Sequence, residues 1–229
     1  LGGYNAARRR AGLEEANDWF NFSVSDMFKK PTEKEAWHYW RWRMLRALVE
    51  PAEDYRLLQR LVDYFGPSNV FVVTSNCDML HERAGTPAEN VLEIHGSLGR
   101  VQCSELCCGT LFPVDEAFLQ RLRDEPDWVP RCPMCNDACL RPNVMIFNDH
   151  TLEDGDGSAL HAQRCRRNEF VRGASSTRSC AVLEIGAGVV VSSIRTEAEA
   201  LGTKGRGLVR INPSEAECDK MEILASKQA

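Results

Sequence analysis

Hydrophobic residues recur with a helical period in the first quarter of the chain. Trp37, Trp40, Met44 and Leu48 stand three or four positions apart, so they share one face of a helix. A second helical pattern runs over residues 52–65 and stops at a Gly-Pro pair. We therefore predict two helices here, and we expect the tryptophans to pack in the core rather than to stack on a ligand.

From residue 69 onward, short continuous apolar runs replace the helical period. They are NVFVVT from Asn69, NVLEI from Asn90, NVMIF from Asn143, CAVLEI from Cys180 and GLVRI from Gly207. Runs of this length, rich in β-branched residues, are typical of buried parallel strands. Longer helical or loop segments separate the runs, so the pattern predicts an α/β fold built on a parallel sheet.

Polar residues or glycines follow each of these runs. In chain order they are Ser75–Asp78, His95–Ser97, Asn148–Asp149, Gly186–Gly188 and Asn212–Pro213. Ligands of open parallel α/β sheets bind outside the carboxyl ends of the strands. We therefore expect these segments to line one ligand-binding crevice.

The segment 99–141 interrupts the alternation of strands and helices. It carries cysteines at both ends and a polar middle that ends in DEPDWVP. We interpret it as a small inserted subdomain. Residues 1–98 and 142–229 then form the larger α/β domain.

Charge and hydropathy narrow the classes of partner. The chain has 28 Lys and Arg against 33 Asp and Glu and no long basic run, which argues against a nucleic-acid partner. No apolar segment approaches the roughly 20 residues that span a bilayer, and the N-terminus lacks a signal-peptide pattern. We expect a soluble cytoplasmic protein that has no membrane partner.

Cysteine spacing gives the most specific chemical signal in the sequence. Cys103 and Cys107 are followed, after 24 residues, by Cys132 and Cys135. In a reducing compartment such pairs are typical of metal ligands, and a secreted disulfide framework is the alternative. Four thiolates at these spacings can close a tetrahedral zinc site.

A four-cysteine site has no position open to substrate, so the zinc is expected to be structural rather than catalytic. It would contribute on the order of 10 kcal/mol to the folding of an insert that has no core of its own. Cys108 is a rival for the second ligand, and Cys139 is a weaker one.

His95 and a glycine pair are the remaining candidates for chemistry. His95 sits where an apolar run breaks into Gly-Ser, where it could be a general base, a metal ligand or a capped core histidine. Gly186 and Gly188 could bring backbone N–H groups close to a phosphate. The third glycine of the dinucleotide fingerprint is absent, since that position holds Val191.

These motifs together resemble the sirtuin family of NAD-dependent protein deacylases, in its bacterial-type branch. TSNCDMLHERAG is similar to the family's Thr-Gln-Asn-(Ile/Val)-Asp-x-Leu-His-x-x-Ala-Gly, EIHGS to its His-Gly-Ser, and CLRPNVMIF to its Leu-Arg-Pro segment. IGAG and RINPSEAE occupy the places of its Gly-Thr-Ser and Ile-Asn motifs. The likeness runs in order over residues 70–217, with the four cysteines between the right motifs.

The resemblance implies a Rossmann-like NAD domain that carries a smaller zinc subdomain, with an acyl-lysine peptide bound between them. In the family mechanism the acyl oxygen attacks the ribose carbon as nicotinamide leaves, and His95 would then take a proton from a ribose hydroxyl. Asn76 and Asp78, with Ser75 beside them, would line the nicotinamide-ribose pocket. The residues expected on the adenosine side are Gly186, Ala187, Gly188 and Asn212. His81 is expected to be structural.

The resemblance therefore implies a transferase, namely an NAD-dependent protein lysine deacylase that releases nicotinamide and O-acyl-ADP-ribose. Among the acyl groups, we expect acetyl to be the one removed. An NAD hydrolase or ADP-ribosyltransferase would share the early chemistry. A non-catalytic NAD-sensing or scaffold module is the alternative from another class. The implied cofactors are NAD, as co-substrate, and one structural Zn²⁺.

The sequence also departs from the family pattern. The family's N-terminal Gly-rich loop and first strand are not in this sequence. Either the chain is a fragment or the protein has lost a cofactor clamp, and we expect a fragment. Ser75 replaces a Gln beside the ribose, and FND at residues 147–149 replaces Phe-Gly-Glu on the peptide side. Ala187 and Gly188 replace Thr and Ser, which leaves only backbone donors there.

Overall fold

The computed structural model describes residues 5–6, 8–9, 25–47, 50–147, 149, 152, 158–177, 180–202, 207–217 and 225–227. Its α-helices are α1 (Glu33–Ala47), α2 (Glu53–Phe65), α3 (Leu80–Arg83), α4 (Glu116–Asp124), α5 (Ala159–Thr177) and α6 (Ser193–Leu201). Short 3-10 helices occupy Ser25–Phe28, Pro67–Asn69 and Ala88–Asn90. Within these ranges, no helix is long and apolar enough to cross a membrane.

The strands of the described residues pair in three ladders. One is parallel and joins β1 (Val72–Thr74) to β2 (Val91–Glu93). A second is antiparallel, in the order β4-β3-β5, and consists of β3 (Gly96–Cys103), β4 (Phe112–Pro113) and β5 (Leu140–Val144). The third is parallel and consists of β6 (Val182–Ile185), β7 (Leu208–Ile211) and β8 (Ala225–Lys227). The predicted α/β class with parallel strands is confirmed.

The prediction of a parallel strand was wrong for the run NVMIF. Its first residues end β5, which pairs antiparallel with β3, so that Gly96 lies opposite Val144 and Cys103 opposite Leu140. The reason lies in the chain connection, because β3 carries the chain into the cysteine segment and β5 brings it back beside the same strand. Both strands extend across the predicted boundaries of the insert, at residues 99 and 141, so the antiparallel ladder lies partly inside the insert and partly outside it.

Helix α1 supplies the centre of the hydrophobic core. Trp37, Trp40 and Met44 are each only 2% exposed, as expected for the apolar stripe of an amphipathic helix. They pack with residues of the antiparallel ladder and α4 in one core cluster, and Trp37 Nε1 donates to the Leu140 carbonyl at 2.7 Å. Truncating such a buried tryptophan to alanine costs about 3–5 kcal/mol. Leu48, predicted on the same face, lies outside the described residues.

The antiparallel ladder shares this core, so the cysteine segment does not depend on zinc alone. Arg131 of that segment pairs with Glu33 at the start of α1, with one contact of 2.7 Å. The insert therefore has no separate core, but it is stabilised by a core that it shares with α1. Its buried side chains complete a core that α1 begins.

Helix α5 packs on the β1–β2 ladder. The Gln163 side-chain oxygen accepts a hydrogen bond from the backbone N–H of Glu93 at 3.1 Å. The rings of Phe170 and Phe71 have centroids 5.5 Å apart. The helix thereby supports the strand that leads directly into His95.

Candidate active site and metal centre

The polar segment after β1 is fixed by short-range hydrogen bonds. The Asn76 N–H donates to Thr74 Oγ1 at 3.0 Å, and Asp78 Oδ1 accepts from the Leu80 N–H at 3.1 Å, where α3 begins. Asn76 Nδ2 donates to the hydroxyl of Tyr55 on α2 at 3.0 Å. Asn76 is exposed and Asp78 half-buried, so both side chains can meet a ligand at this strand end.

His95 lies between β2 and β3, beside the segment that follows β1. Its ring donates a hydrogen bond to the backbone carbonyl of Ser75. Burial lowers the pKa of His95, and the hydrogen bond to Ser75 only partly opposes that effect. The imidazole is therefore neutral at neutral pH, with one nitrogen donating to Ser75 and the other free of a proton.

The backbone of His95 is also held in place. Its carbonyl accepts from the Met145 N–H at 2.8 Å and from the Cys77 thiol at 3.5 Å. Gly96 follows with a φ of +80°, and a Cβ on it would lie 2.1 Å from the Asn143 carbonyl oxygen. Only glycine fits there, which explains the Gly of the His-Gly-Ser motif.

A buried carboxylate precedes the histidine by two residues. Glu93 is 2% exposed, and its carboxylate accepts from Ser97 Oγ at 3.0 Å and from Arg100 at 3.3 Å. Burial raises the pKa of Glu93 to about 7, although Arg100 and Ser97 act in the opposite direction. Glu93 was not among the site residues predicted from the sequence. A lone Glu at the end of an apolar run was the available signal.

The glycine pair and Asn212 lie together at the end of the other parallel ladder. Gly186 has a φ of +68°, and its N–H donates to the Ile211 carbonyl at 2.9 Å. Asn212 is buried; its Nδ2 donates to the Ala187 carbonyl at 3.0 Å, and its Oδ1 accepts from the N–H groups of Ser214 and Glu215 at 3.1 and 2.9 Å. Asn212 thus ties the glycine loop to the turn after β7.

A charged network supports this loop from behind. The Arg210 guanidinium contacts the Glu184 carboxylate at 2.6 and 2.7 Å and Glu199 at 2.8 Å, and both Arg210 and Glu184 are fully buried. Arg195 donates to the Ala187 carbonyl at 3.3 Å and to the Glu215 carbonyl at 2.9 Å. The alternation of the strands gives no sign of charged partners this far apart in sequence, so these residues were missed.

The structure therefore brings the predicted site residues together in two groups. The first contains Ser75, Asn76, Asp78 and His95, at the ends of β1 and β2. The second contains Gly186, Ala187, Gly188 and Asn212, at the ends of β6 and β7. Of the predicted crevice, Asn148 lies outside the described residues. His81 packs edge-on against Tyr55, with ring centroids 4.9 Å apart, in keeping with a structural role.

The four cysteines of the predicted zinc site converge. The Sγ atoms of Cys103, Cys107, Cys132 and Cys135 all lie within 4.8 Å of one another, and those of Cys107 and Cys132 are 3.5 Å apart. Four Zn–S bonds of about 2.3 Å place tetrahedral sulfurs about 3.8 Å from each other, so the cluster fits one zinc ion.

Backbone turns shape both halves of this cluster. Leu106 and Asn136 have φ values of +50° and +56°, and the Asn136 N–H donates to the Cys132 carbonyl at 2.8 Å. Cys103 and Cys132 are buried, whereas Cys107 and Cys135 are exposed. Cys139 lies apart, since its buried thiol donates to the Phe28 carbonyl at 2.8 Å.

Comparison with known proteins agrees with this arrangement. The sequence model of the Sir2 family matches residues 7–173. The NAD-dependent protein deacylase Sir2 of Mycolicibacterium smegmatis is 31% identical over 205 residues, which cover 88% of this chain and 75% of that protein. NAD-dependent protein deacylases of Aquifex aeolicus and Thermus thermophilus are 31% and 34% identical, and the chain spans about half of their lengths, 52% and 49%.

Solved structures show the same fold. A structure described as the structural basis for sirtuin substrate affinity is 25% identical, with a TM-score of 0.61 over 93% of this chain and 79% of that chain. A structure of Sir2 bound to acetylated peptide has a TM-score of 0.62 at 24% identity, over 91% of this chain and 78% of that chain. With the family match over most of its length, the chain belongs to the Sir2 family.

Proposed function

We propose that this chain carries the catalytic region of an NAD-dependent protein lysine deacylase, and that the acyl group it removes is acetyl. The observation that carries the proposal is the neutral His95, fixed by Ser75 at a strand end beside Asn76 and Asp78. Relatives of the chain are named NAD-dependent protein deacylases, and one related structure holds an acetylated peptide. An enzyme of this class needs a base at neutral pH, and the site supplies one.

His95 is suited to the role of general base. Because one ring nitrogen donates to the Ser75 carbonyl, the tautomer is fixed and the other nitrogen has a free lone pair. The lowered pKa keeps the ring unprotonated at pH 7, so it can accept a proton from a ribose hydroxyl. Positioned proton transfer of this kind contributes about 10²–10⁴-fold to rate.

The residues present fit a dinucleotide ligand. The N–H groups of Ala187 and Gly188 donate to no protein acceptor among the described residues and can bind a ligand oxygen. We place Gly186 and Asn212 with them on the adenosine side, and Ser75, Asn76 and Asp78 on the nicotinamide-ribose side. Bound NAD supplies the ribose carbon that accepts the acyl oxygen as nicotinamide leaves.

We also propose the division of the chain into an NAD-binding domain, residues 1–98 and 142–229, and a zinc subdomain, residues 99–141. An acyl-lysine protein or peptide would bind between the two. Cys103, Cys107, Cys132 and Cys135 would hold one structural zinc that never touches substrate. A cluster of reduced thiols suits the cytoplasm.

The test is an assay of the full-length protein with NAD and an acetyl-lysine peptide, read as nicotinamide release. We expect His95→Ala to lower the rate by about 10²–10⁴-fold. His161→Ala, on α5, is the matched control and should keep the rate of the wild type. Circular dichroism confirms that both variants fold.

Product analysis separates this proposal from its rivals. O-acetyl-ADP-ribose supports a deacylase. Free ADP-ribose would instead show an NAD hydrolase, and ADP-ribosylated protein would show an ADP-ribosyltransferase. NAD binding without any turnover in the full-length protein would show a sensing module. Turnover that survives His95→Ala would remove the base assigned here.

A further inference from the structure

The metal centre contains one thiol more than a tetrahedral zinc needs. Cys108 is half-buried, and its side chain contacts those of Cys107 and Cys132. It is not among the four cysteines whose sulfurs all lie within 4.8 Å of one another. Cys108 therefore sits beside a closed ligand set as a free thiol.

A thiol in this position differs chemically from the four around it. Thiolates bound to zinc share their electron density with the metal, whereas an unbound cysteine reacts directly with oxidants. Cys107, Gly109 and Thr110 around Cys108 are exposed, so small oxidants reach this turn. With the other four thiolates bound to zinc, Cys108 would react before them.

Geometry decides which neighbour Cys108 can join. Adjacent Cα atoms across a trans peptide are about 3.8 Å apart, which is shorter than the roughly 4.4–6.8 Å that a relaxed disulfide spans. A bond to the neighbouring Cys107 would therefore be strained. Cys132 approaches from the other half of the cluster, through a different turn, and has no such restriction.

We propose that peroxide converts Cys108 and Cys132 to a disulfide and that this reaction opens the zinc site. Cys132 is a member of the four-cysteine set, so its loss leaves three sulfur ligands. A site of three thiolates holds zinc far less tightly than a complete one, and the ion leaves to solvent. The proposal concerns the metal centre and does not depend on deacylase activity.

The reaction balances in two steps. The Cys108 thiolate attacks hydrogen peroxide, the O–O bond breaks, and sulfenic acid and hydroxide form, so sulfur is oxidised and peroxide reduced. The Cys132 thiolate then attacks the sulfenic sulfur, the S–S bond forms, and a second hydroxide leaves. Two electrons pass from the thiols to one peroxide, and a dithiol reductant reverses the change.

The experiment treats the zinc-loaded protein with hydrogen peroxide and follows zinc release with a metal-binding dye. Alkylation of the remaining thiols and peptide mass spectrometry locate the disulfide. We expect one zinc released per chain, together with a Cys108–Cys132 bond. In Cys108→Ser, zinc release should be at least about tenfold slower. Cys165→Ser, which removes an exposed thiol on α5, is the matched control and should behave as the wild type.

Three results would overturn the proposal. Equal rates of release in Cys108→Ser and wild type would show that attack starts elsewhere. A disulfide that joins Cys107 to Cys135 would show a different partner. If both Cys108→Ser and Cys108→Ala fold but contain no zinc, Cys108 is itself a ligand and not a free thiol.

Discussion

Two regions of the molecule are stabilised in opposite ways. The zinc-side region, residues 25–47 and 96–147, buries aromatic side chains of α1 against the antiparallel ladder and adds the four-cysteine cluster. The nucleotide-side region comprises residues 180–202, 207–217 and 225–227. Its buried hydrophobic side chains, among those described, are three alanines and one leucine: Ala187, Ala198, Leu208 and Ala216.

The nucleotide-side region instead buries charge. The Arg210–Glu184 pair occupies the position where a strand interior would normally hold apolar side chains. Apolar residues are left outside, with Leu183 45%, Ile185 47% and Val190 95% exposed. A buried ion pair is costly to desolvate and gives little net stability compared with apolar packing.

The difference shows what each region requires. The zinc-side region depends on one metal and a local core, so its weak point is the metal. The nucleotide-side region depends on a few long-range polar contacts, so it has more to gain from a ligand. Variants that remove the metal, the buried ion pair or the contacts of the glycine loop test this contrast.

Removal of zinc should have the largest effect. Cys132→Ser, or treatment with a strong chelator, removes a contribution on the order of 10 kcal/mol. We expect loss of the bound zinc and of near-ultraviolet circular dichroism from Trp37 and Trp40. Hydrogen exchange in β6 and β7 should change less than in β3 and β5. Cys165→Ser serves as the control, and full zinc retention by Cys132→Ser would contradict the ligand assignment.

Breaking the buried ion pair should come next. Arg210→Met leaves the Glu184 carboxylate buried without its partner, which costs about 3–5 kcal/mol. Urea unfolding followed by circular dichroism measures the change. Arg123→Met is the control, since the exposed pair of Arg123 with Glu116 contributes about 1 kcal/mol at most. Equal losses in the two variants would show that the buried pair stabilises the fold no more than an exposed pair does.

The zinc cluster was the part of the site that the sequence alone could predict. Its ligands come as two close pairs, so the local spacing limits how the four sulfurs can meet, and all four predicted cysteines converge. The helices α1 and α2 followed for the same reason, because their periods repeat every three or four residues. Local patterns of this kind need no knowledge of the tertiary fold.

The remaining features depend on contacts between distant residues. NVMIF has the composition of a parallel strand, but its partner β3 makes it antiparallel. His95 could be placed at a strand end, yet its hydrogen bond to Ser75 joins residues twenty positions apart. The Arg210–Glu184 pair is another contact between residues distant in sequence. The role of His95 as a general base came from the resemblance to a family, because the spacing of the motifs alone could not assign it.

The pH dependence of stability should report on Glu93. Its folded pKa of about 7 lies above the ordinary value of 4.5, so the folded state retains a proton that the unfolded chain releases. The free energy of unfolding therefore falls as the pH rises from about 4.5 to about 7, by about 3 kcal/mol for this group.

Glu93→Gln mimics the protonated form and should remove that part of the slope. Urea unfolding at several pH values from 4.5 to 8 measures it, in comparison with the wild type. Glu89→Gln, an exposed carboxylate in the 3-10 helix Ala88–Asn90, controls for the loss of a charge. An unchanged slope in Glu93→Gln would mean that Glu93 titrates alike in both states.

The smallest change in stability should come from Asn212, and it tests whether a ligand compensates for the sparse packing of the nucleotide-side region. Asn212→Ala removes the hydrogen bonds that join Ala187 to Ser214 and Glu215, at a cost of about 1–3 kcal/mol. NAD at a hundred times its dissociation constant should stabilise the wild type by about 2.7 kcal/mol. Because the variant must reorder the glycine loop on binding, we expect its affinity for NAD to fall about tenfold, which is 1.4 kcal/mol.

Calorimetric titration measures the affinity, with Asn168→Ala on α5 as the control. If Asn212→Ala unfolds more easily but binds NAD as tightly as the wild type, the glycine loop is ordered without Asn212. The nucleotide-side region would then not depend on its ligand for order, and the contrast with the zinc-side region would fail.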